Sequence, residues 1–251
     1  MSAKLEKHLT TIFLLIFLSI ASLLLMGFMY GYSSIVAEVN LRSAHPDTRE
    51  TEFIKPEQVE QIVLQLTGGW INKSDPQEFF DDVKKLYLWV ESNIHYSPDP
   101  DYPILPTTPF GEVEYTKEMW RFPKETIMSK TGDCEDIAIL LTSMLVSYVN
   151  GTLYVETIVV DSHAATYVST GSKICILDPA VHYYTSANQQ VTFKNVTTEI
   201  SNWLEYVRQF SASDITVKWV FSNTLWKSFS GTDEFISWLT SRPPKTFPPE
   251  I

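Results

Sequence analysis

The sequence predicts an α+β domain, with a central cysteine-bearing helix packed on an antiparallel sheet, joined to one N-terminal transmembrane helix. Three observations predict it. Residues 9–31 are 23 in a row without a charge. Gly132-Asp133-Cys134-Glu135-Asp136 stands directly before an apolar run over residues 137–149. Three runs rich in Val, Ile and Tyr then follow at 154–161, 163–169 and 173–178, divided by turn residues, the pattern of neighbouring antiparallel strands.

At ~1.5 Å per helical residue, the run 9–31 crosses a ~30 Å hydrocarbon core. It is longer than the apolar part of a cleaved secretory signal, and Ser34-Ile35-Val36-Ala37 is a weak cleavage site. An uncleaved anchor is therefore expected. Lys4 and Lys7 precede it, and the charge after it begins with Glu38. Positive charge favours the cytoplasmic side, so residues 1–8 are expected in the cytoplasm and the bulk of the chain outside the cell membrane. Residues 32–55, polar and including His45-Pro46-Asp47, read as a juxtamembrane linker. Residues 56–242 have the length of one domain with a sizeable core. Residues 243–251 are proline-rich and read as an extended tail. The net charge of -11 argues against a nucleic-acid partner. Asn72, Asn150 and Asn195 fit the glycosylation acceptor pattern, which is compatible with an outside location.

Along the domain, residues 56–66 look like a short helix opened by Pro56. Ser74-Asp75-Pro76 opens a second, in which Phe79, Val83, Leu86, Tyr87, Val90 and Ile94 follow helical spacing. Residues 97–110 hold five prolines and read as an irregular loop. The helix from Cys134 is apolar nearly all round, which makes it central, and Asn150-Gly151 ends it. Segments 199–210 and 233–240 look helical, with Trp203 and Trp238 as core anchors.

A cysteine set among carboxylates at the mouth of a buried helix is unusual for a core residue and suits a nucleophile. The helix N-terminus favours its thiolate, whereas Asp133, Glu135 and Asp136 oppose it. The same acids permit cation binding. Small Ala138 lies on the cysteine's face of the helix and lets the sheet approach.

The strands can be counted. If Gly171-Ser172 is a two-residue loop, Thr170 faces Lys173 and position 165 faces 178. His163 and Asp178 then share a face as diagonal neighbours, the relation in which a carboxylate orients an imidazole. The same parity puts Cys175 on the opposite face from Asp178, so no Cys134–Cys175 disulfide is expected.

Taken in order, these residues resemble the transglutaminase-like superfamily, which has a papain-like fold. The matching stretch runs from about residue 79 to 179. It includes Leu88-Trp89-Val90-Glu91-Ser92-Asn93-Ile94-His95-Tyr96, Pro123-Lys124-Glu125-Thr126-Ile127, Thr131-Gly132-Asp133-Cys134-Glu135-Asp136-Ile137-Ala138, His163-Ala164 and Leu177-Asp178-Pro179. It is similar to the microbial members, including bacterial transglutaminase-like cysteine proteases, more than to the animal cross-linking enzymes. The resemblance implies a catalytic Cys134, a base His163 and an orienting Asp178. It also implies an oxyanion site at the Cys134 backbone N–H, with Trp120 as the upstream side chain, and calcium held by Asp133, Glu135 and Asp136.

The function expected is that of a membrane-anchored extracytoplasmic thiol acyl-transfer enzyme acting on a protein or peptide. With water as acceptor it hydrolyses a peptide or side-chain amide bond, as a cysteine protease does. With a lysine amine it cross-links, as a protein-glutamine gamma-glutamyltransferase does. The triad chemistry itself requires no cofactor; calcium is the candidate ion. The alternative from another class is a catalytically silent surface-binding or envelope structural module.

Overall fold

The computed structural model describes residues 3–43, 47–210 and 215–248. The end of the tail, 249–251, and the linker residues 44–46 lie outside the described residues. The chain divides into two compact units, one joining the N-terminal helix to residues 101–118 and the other holding the rest.

In the first unit, α1 spans Ala3–Ser43. The helix therefore continues well past residue 31, through the first half of the segment read as a linker. Its apolar side chains from Leu9 to Met29 are exposed, and its hydropathy and length are sufficient to cross a membrane. Beyond that stretch the helix carries polar anchors. Asn40 exchanges two hydrogen bonds of 2.7 Å with the backbone of Leu105, and Tyr32 Oη donates to the Pro106 carbonyl at 2.7 Å. The proline-rich segment is thus held, and it contains a short antiparallel pair, Tyr102–Ile104 with Glu114–Thr116.

The second unit is built on a seven-stranded antiparallel sheet. Its strands are β1 (Tyr154–Val160), β2 (His163–Ser169), β3 (Lys173–Asp178), β4 (Tyr183–Tyr184), β5 (Lys194–Asn195), β6 (Val217–Phe221) and β7 (Trp226–Ser228). The order is β5-β3-β2-β1-β6-β7, with β4 also pairing β3. β2 and β3 pair in the counted register: Thr166 opposite Leu177, Ser169 opposite Ile174, and Thr170 N–H bonded to the Lys173 carbonyl at 3.0 Å.

Four helices build one side of the unit: α2 (Glu60–Thr67), α3 (Pro76–Asn93), α4 (Pro123–Ser129) and α5 (Cys134–Val149). Two pack on the other face of the sheet: α6 (Val196–Val207) and α7 (Thr232–Ser241). Asp75 caps α3 by accepting from Gln77 N–H at 2.9 Å, with Pro76 in the first turn. Its expected apolar stripe, Phe79 to Val90, is buried against α5. α5 is buried on nearly every side, from Glu135 through Leu145. It ends where Asn150 (φ 44°) and Gly151 (φ 78°) turn left-handed, as a helix C-terminus requires.

The two faces of the sheet bury different sets. Val155, Val168, Cys175 and Leu177 meet Ile137, Leu140, Leu141 and Met144 of α5. Ile158, Ala165, Tyr167 and Ile176 meet Ile200, Trp203, Phe235 and Leu239 of α6 and α7. Cys175 is on the face away from Asp178, but that face is the one α5 covers. What separates the two thiols is distance along the strand. Cys175 pairs with Val168, four residues beyond Ala164, or ~13 Å at strand rise, whereas a disulfide needs Cα atoms within ~7 Å. Both cysteines are free.

Candidate active site

The start of α5 is aligned on β2 by a ladder of polar contacts. The Ala164 backbone N–H is close enough to Cys134 Sγ to favour its charged form. Thr166 Oγ1 donates to the Ala138 carbonyl at 3.0 Å, and Thr142 Oγ1 lies 3.0 Å from Thr166 Oγ1 and 2.8 Å from Thr157 Oγ1. Four helical residues advance ~6 Å and two strand residues ~6.6 Å, so the two elements keep step. Small Ala138 and three buried hydroxyls let the helix backbone lie close to the sheet. The result brings Cys134 to the end of the sheet where β2 begins with His163.

His163 and Asp178 meet there. His163 Nε2 lies 2.7 Å from Asp178 Oδ2, the diagonal contact that the strand count predicts. Asp178 is fully buried. The same Oδ2 accepts the indole N–H of Trp203 at 2.9 Å. With Nε2 held by the carboxylate, Nδ1 is the imidazole nitrogen left to exchange a proton.

The electrostatics around the thiol run against a resting thiolate. Burial pushes Cys134 well above the usual thiol range, and Glu135 and Asp133 add to that; the Ala164 N–H pulls the other way. The thiol donates to Glu135 Oε2 at 3.2 Å. Glu135 is itself pushed well up, by burial and then by Asp133. Burial, with the carboxylates beside the sulfur, thus outweighs the pull expected from the helix N-terminus.

Asp136, next in the turn, faces elsewhere. Its Oδ1 accepts the Arg121 backbone N–H at 2.7 Å and its Oδ2 pairs with Arg121 Nη1. Arg121 Nη2 lies 2.9 Å from Asp99 Oδ1, and Met119 N–H donates to Asp99 Oδ2. Burial pushes Asp136 up to about 8, with Arg121 pulling down against it. Gly132 makes this crowding possible, because a Cβ there would stand 2.7 Å from Asp136 Cβ.

One carboxylate oxygen each from Asp99, Asp133 and Asp136 lie within 4.8 Å of one another. A hard cation bound by oxygens at ~2.3–2.6 Å fits such a set. Asp133 and Asp136 were expected in it. Glu135, expected with them, turns to the cysteine. Asp99 joins from 34 residues upstream, inside the proline-rich segment, where no pattern marks it. Arg121 engages two of the three acids, and no motif in the sequence marks it. Trp120 is buried, edge-on to Phe53 at 5.5 Å and stacked on Phe221 at 5.3 Å, the surroundings of a packing aromatic.

Among solved structures, the chain is similar to Legionella pneumophila LapG. The identity is 17%, over 76% of this chain and 98% of that one, with a TM-score of 0.35. For calcium-bound L. pneumophila LapG the values are 15%, 70%, 88% and 0.33. For the EGTA-treated form they are 14%, 74%, 98% and 0.34. Among curated proteins none matches. Residues 60–209, more than half of the chain and including Cys134, His163 and Asp178, match the family described as "Transglutaminase-like domain", and the chain belongs to that family.

Proposed function

We propose that this chain is a membrane-anchored thiol acyl-transfer enzyme whose catalytic domain lies outside the cytoplasm and hydrolyses an amide bond of a protein or peptide. The observation that carries the reading is the 2.7 Å contact between His163 and Asp178, at the start of the strand on which Thr166 holds the first turns of α5, the helix that begins with Cys134. The length and hydropathy of α1 support the anchor.

In the proposed reaction, His163 Nδ1 takes the Cys134 proton as the sulfur attacks the substrate carbonyl. Because the thiol rests protonated, His163 acts as a general base during attack. The developing oxyanion meets the Cys134 backbone N–H in the first turn of α5, where helix donors lack intrahelical partners. Collapse breaks the C–N bond, and the imidazolium protonates the leaving amine. Water then attacks the thioester, giving its proton to His163, and the C–S bond breaks to return the thiol. Asp178 holds the imidazole and offsets its charge. Calcium, if bound, would be held by Asp99, Asp133 and Asp136, and would supply positive charge beside the acids that hold the thiol protonated.

The test uses the full-length protein in detergent micelles with p-nitrophenyl acetate. A stoichiometric burst of p-nitrophenolate is expected, abolished by Cys134→Ala and slowed at least ~100-fold by His163→Ala. A burst that survives Cys134→Ala, or none in the wild type, would sink the reading. The second outcome would favour a catalytically silent module, the reading that the carboxylate-bound, protonated thiol also fits.

A further inference from the structure

Beside His163 is a cavity of about 230 Å³. Its apolar surface comes from Ala180, Val181, Val207, Phe210 and Tyr96, with Ser162 and His163 completing the lining. Among the described residues that line it none is Asp, Glu, Lys or Arg. It is smaller than the ~300–1,000 Å³ typical of cofactor sites, and has room for one side chain. Two of its aromatics are largely exposed, Phe210 at 64% and Tyr96 at 56%. The remaining surface is braced: Tyr206 Oη donates to the Val181 carbonyl at 3.0 Å, and its ring meets Phe210 edge-on at 5.6 Å.

We infer that this cavity takes the apolar side chain of the residue on the amine side of the scissile bond. The inference rests on the proposed function. No residue of α5, which carries the nucleophile and the oxyanion N–H, lines the cavity. It is built from the base, the turn that follows Asp178, Tyr96 and the region from Val207 to Phe210. The imidazole must reach the leaving nitrogen to protonate it, so the substituent on that nitrogen lies against whatever flanks the imidazole. Here most of the residues that form the flank are apolar, and among the described residues that line it none is a carboxylate to receive a lysine ammonium. The geometry also separates two bond types. A glutamine side-chain amide releases ammonia, which has nothing to fill a cavity, whereas a peptide bond releases an amine carrying a side chain. The substrate class is therefore a peptide bond followed by a large apolar residue.

Capture of the acyl-enzyme by amines tests this without the natural substrate. The acetyl thioester formed on Cys134 of the full-length protein from p-nitrophenyl acetate is divided between water and an added amino-acid amide. The α-amine nitrogen of the amino-acid amide attacks the thioester carbonyl, the C–S bond breaks, and one amine proton returns through His163 to sulfur. Leucinamide and phenylalaninamide are expected to capture acetyl about tenfold better than glycinamide, aspartamide or lysinamide. Phe210→Ala and the cavity-filling Ala180→Leu should each bring the phenylalaninamide-to-glycinamide ratio towards one. The exposure of Phe210 makes its truncation safe for the core. Equal capture of all amides, a preference for lysinamide, or a ratio untouched in both variants would overturn the inference with the enzyme reading intact. Loss of the Cys134-dependent burst would overturn both.

Discussion

The indole N–H of Trp203 donates to Asp178 Oδ2 at 2.9 Å, the same oxygen that His163 Nε2 contacts. Trp203 is fully buried in α6, so the carboxylate that would orient the base is held from the far side of the sheet. Replacing it by Phe keeps most of the packing and removes the donor. Trp203→Phe should cost about 1–3 kcal/mol of stability, because a buried carboxylate loses a partner. It should also lower the acylation rate about tenfold and shift its pH profile; a melting-temperature change with an unmoved profile would reduce Trp203 to packing.

Asp178→Asn preserves shape but removes the charge that stabilises the imidazolium. A fall of about 10³–10⁴-fold in the p-nitrophenolate burst rate is expected, measured by stopped flow, with the fold unchanged by circular dichroism. A fall of less than about tenfold would mean that His163 does not depend on this carboxylate.

The pH dependence of Cys134 labelling follows from its neighbours. Burial and the Glu135 and Asp133 carboxylates raise the thiol's pKa, so less thiolate is present at any given pH. Iodoacetamide labelling should therefore rise only above the ~8.5 of free cysteine. Cys175, buried at 1% exposure, should not react. Glu135→Gln removes one carboxylate charge and should move the labelling curve to lower pH. A curve at or below 8.5 in the wild type would show that another positive charge governs the sulfur.

Calcium is expected to stabilise the protein through Asp99, Asp133 and Asp136. At a calcium concentration near 100 times Kd the gain is about 2.7 kcal/mol, or roughly 5–10 °C in Tm for a domain of this size. Asp99→Asn should abolish the shift, read by calorimetry with and without EGTA. An equal shift in that variant would remove Asp99 from the set, and no shift in the wild type would leave Arg121 as the cation that serves these acids.

Gly132→Ala should destabilise the fold, because the new Cβ would stand 2.7 Å from Asp136 Cβ and neither backbone can withdraw freely. A loss of about 1–3 kcal/mol is expected in chemical denaturation, as for overpacking elsewhere. An unchanged midpoint would mean that the acidic turn yields easily.

Local pattern carried a large part of this protein. The charge-free run and the apolar α5 with Asn150-Gly151 at its end rest on local composition, and the capped amphipathic α3 and the hairpin count that joins His163 to Asp178 rest on periodicities of 3.6 and 2. Such signals act within one element or between neighbours in sequence, and the two-residue Gly171-Ser172 loop transmits register without reference to the rest of the fold. The C-terminal strands β6 and β7 are short; β6 pairs on the edge that β1 offers, and β7 then pairs on β6.

Tertiary structure alone decided which face of the sheet α5 covers, and hence that Cys175 shares its side. It alone brought Asp99 and Arg121 to Asp136, turned Glu135 toward the sulfur, set Trp203 behind Asp178, and opened a cavity beside His163 from four separate segments. These relations join residues tens of positions apart through loops without periodicity. The sequence by itself determined which residues carry the proposed chemistry and their order. The packing of distant segments determined their charge environment, because desolvation and Coulomb interactions depend on distance in space and not on separation along the chain.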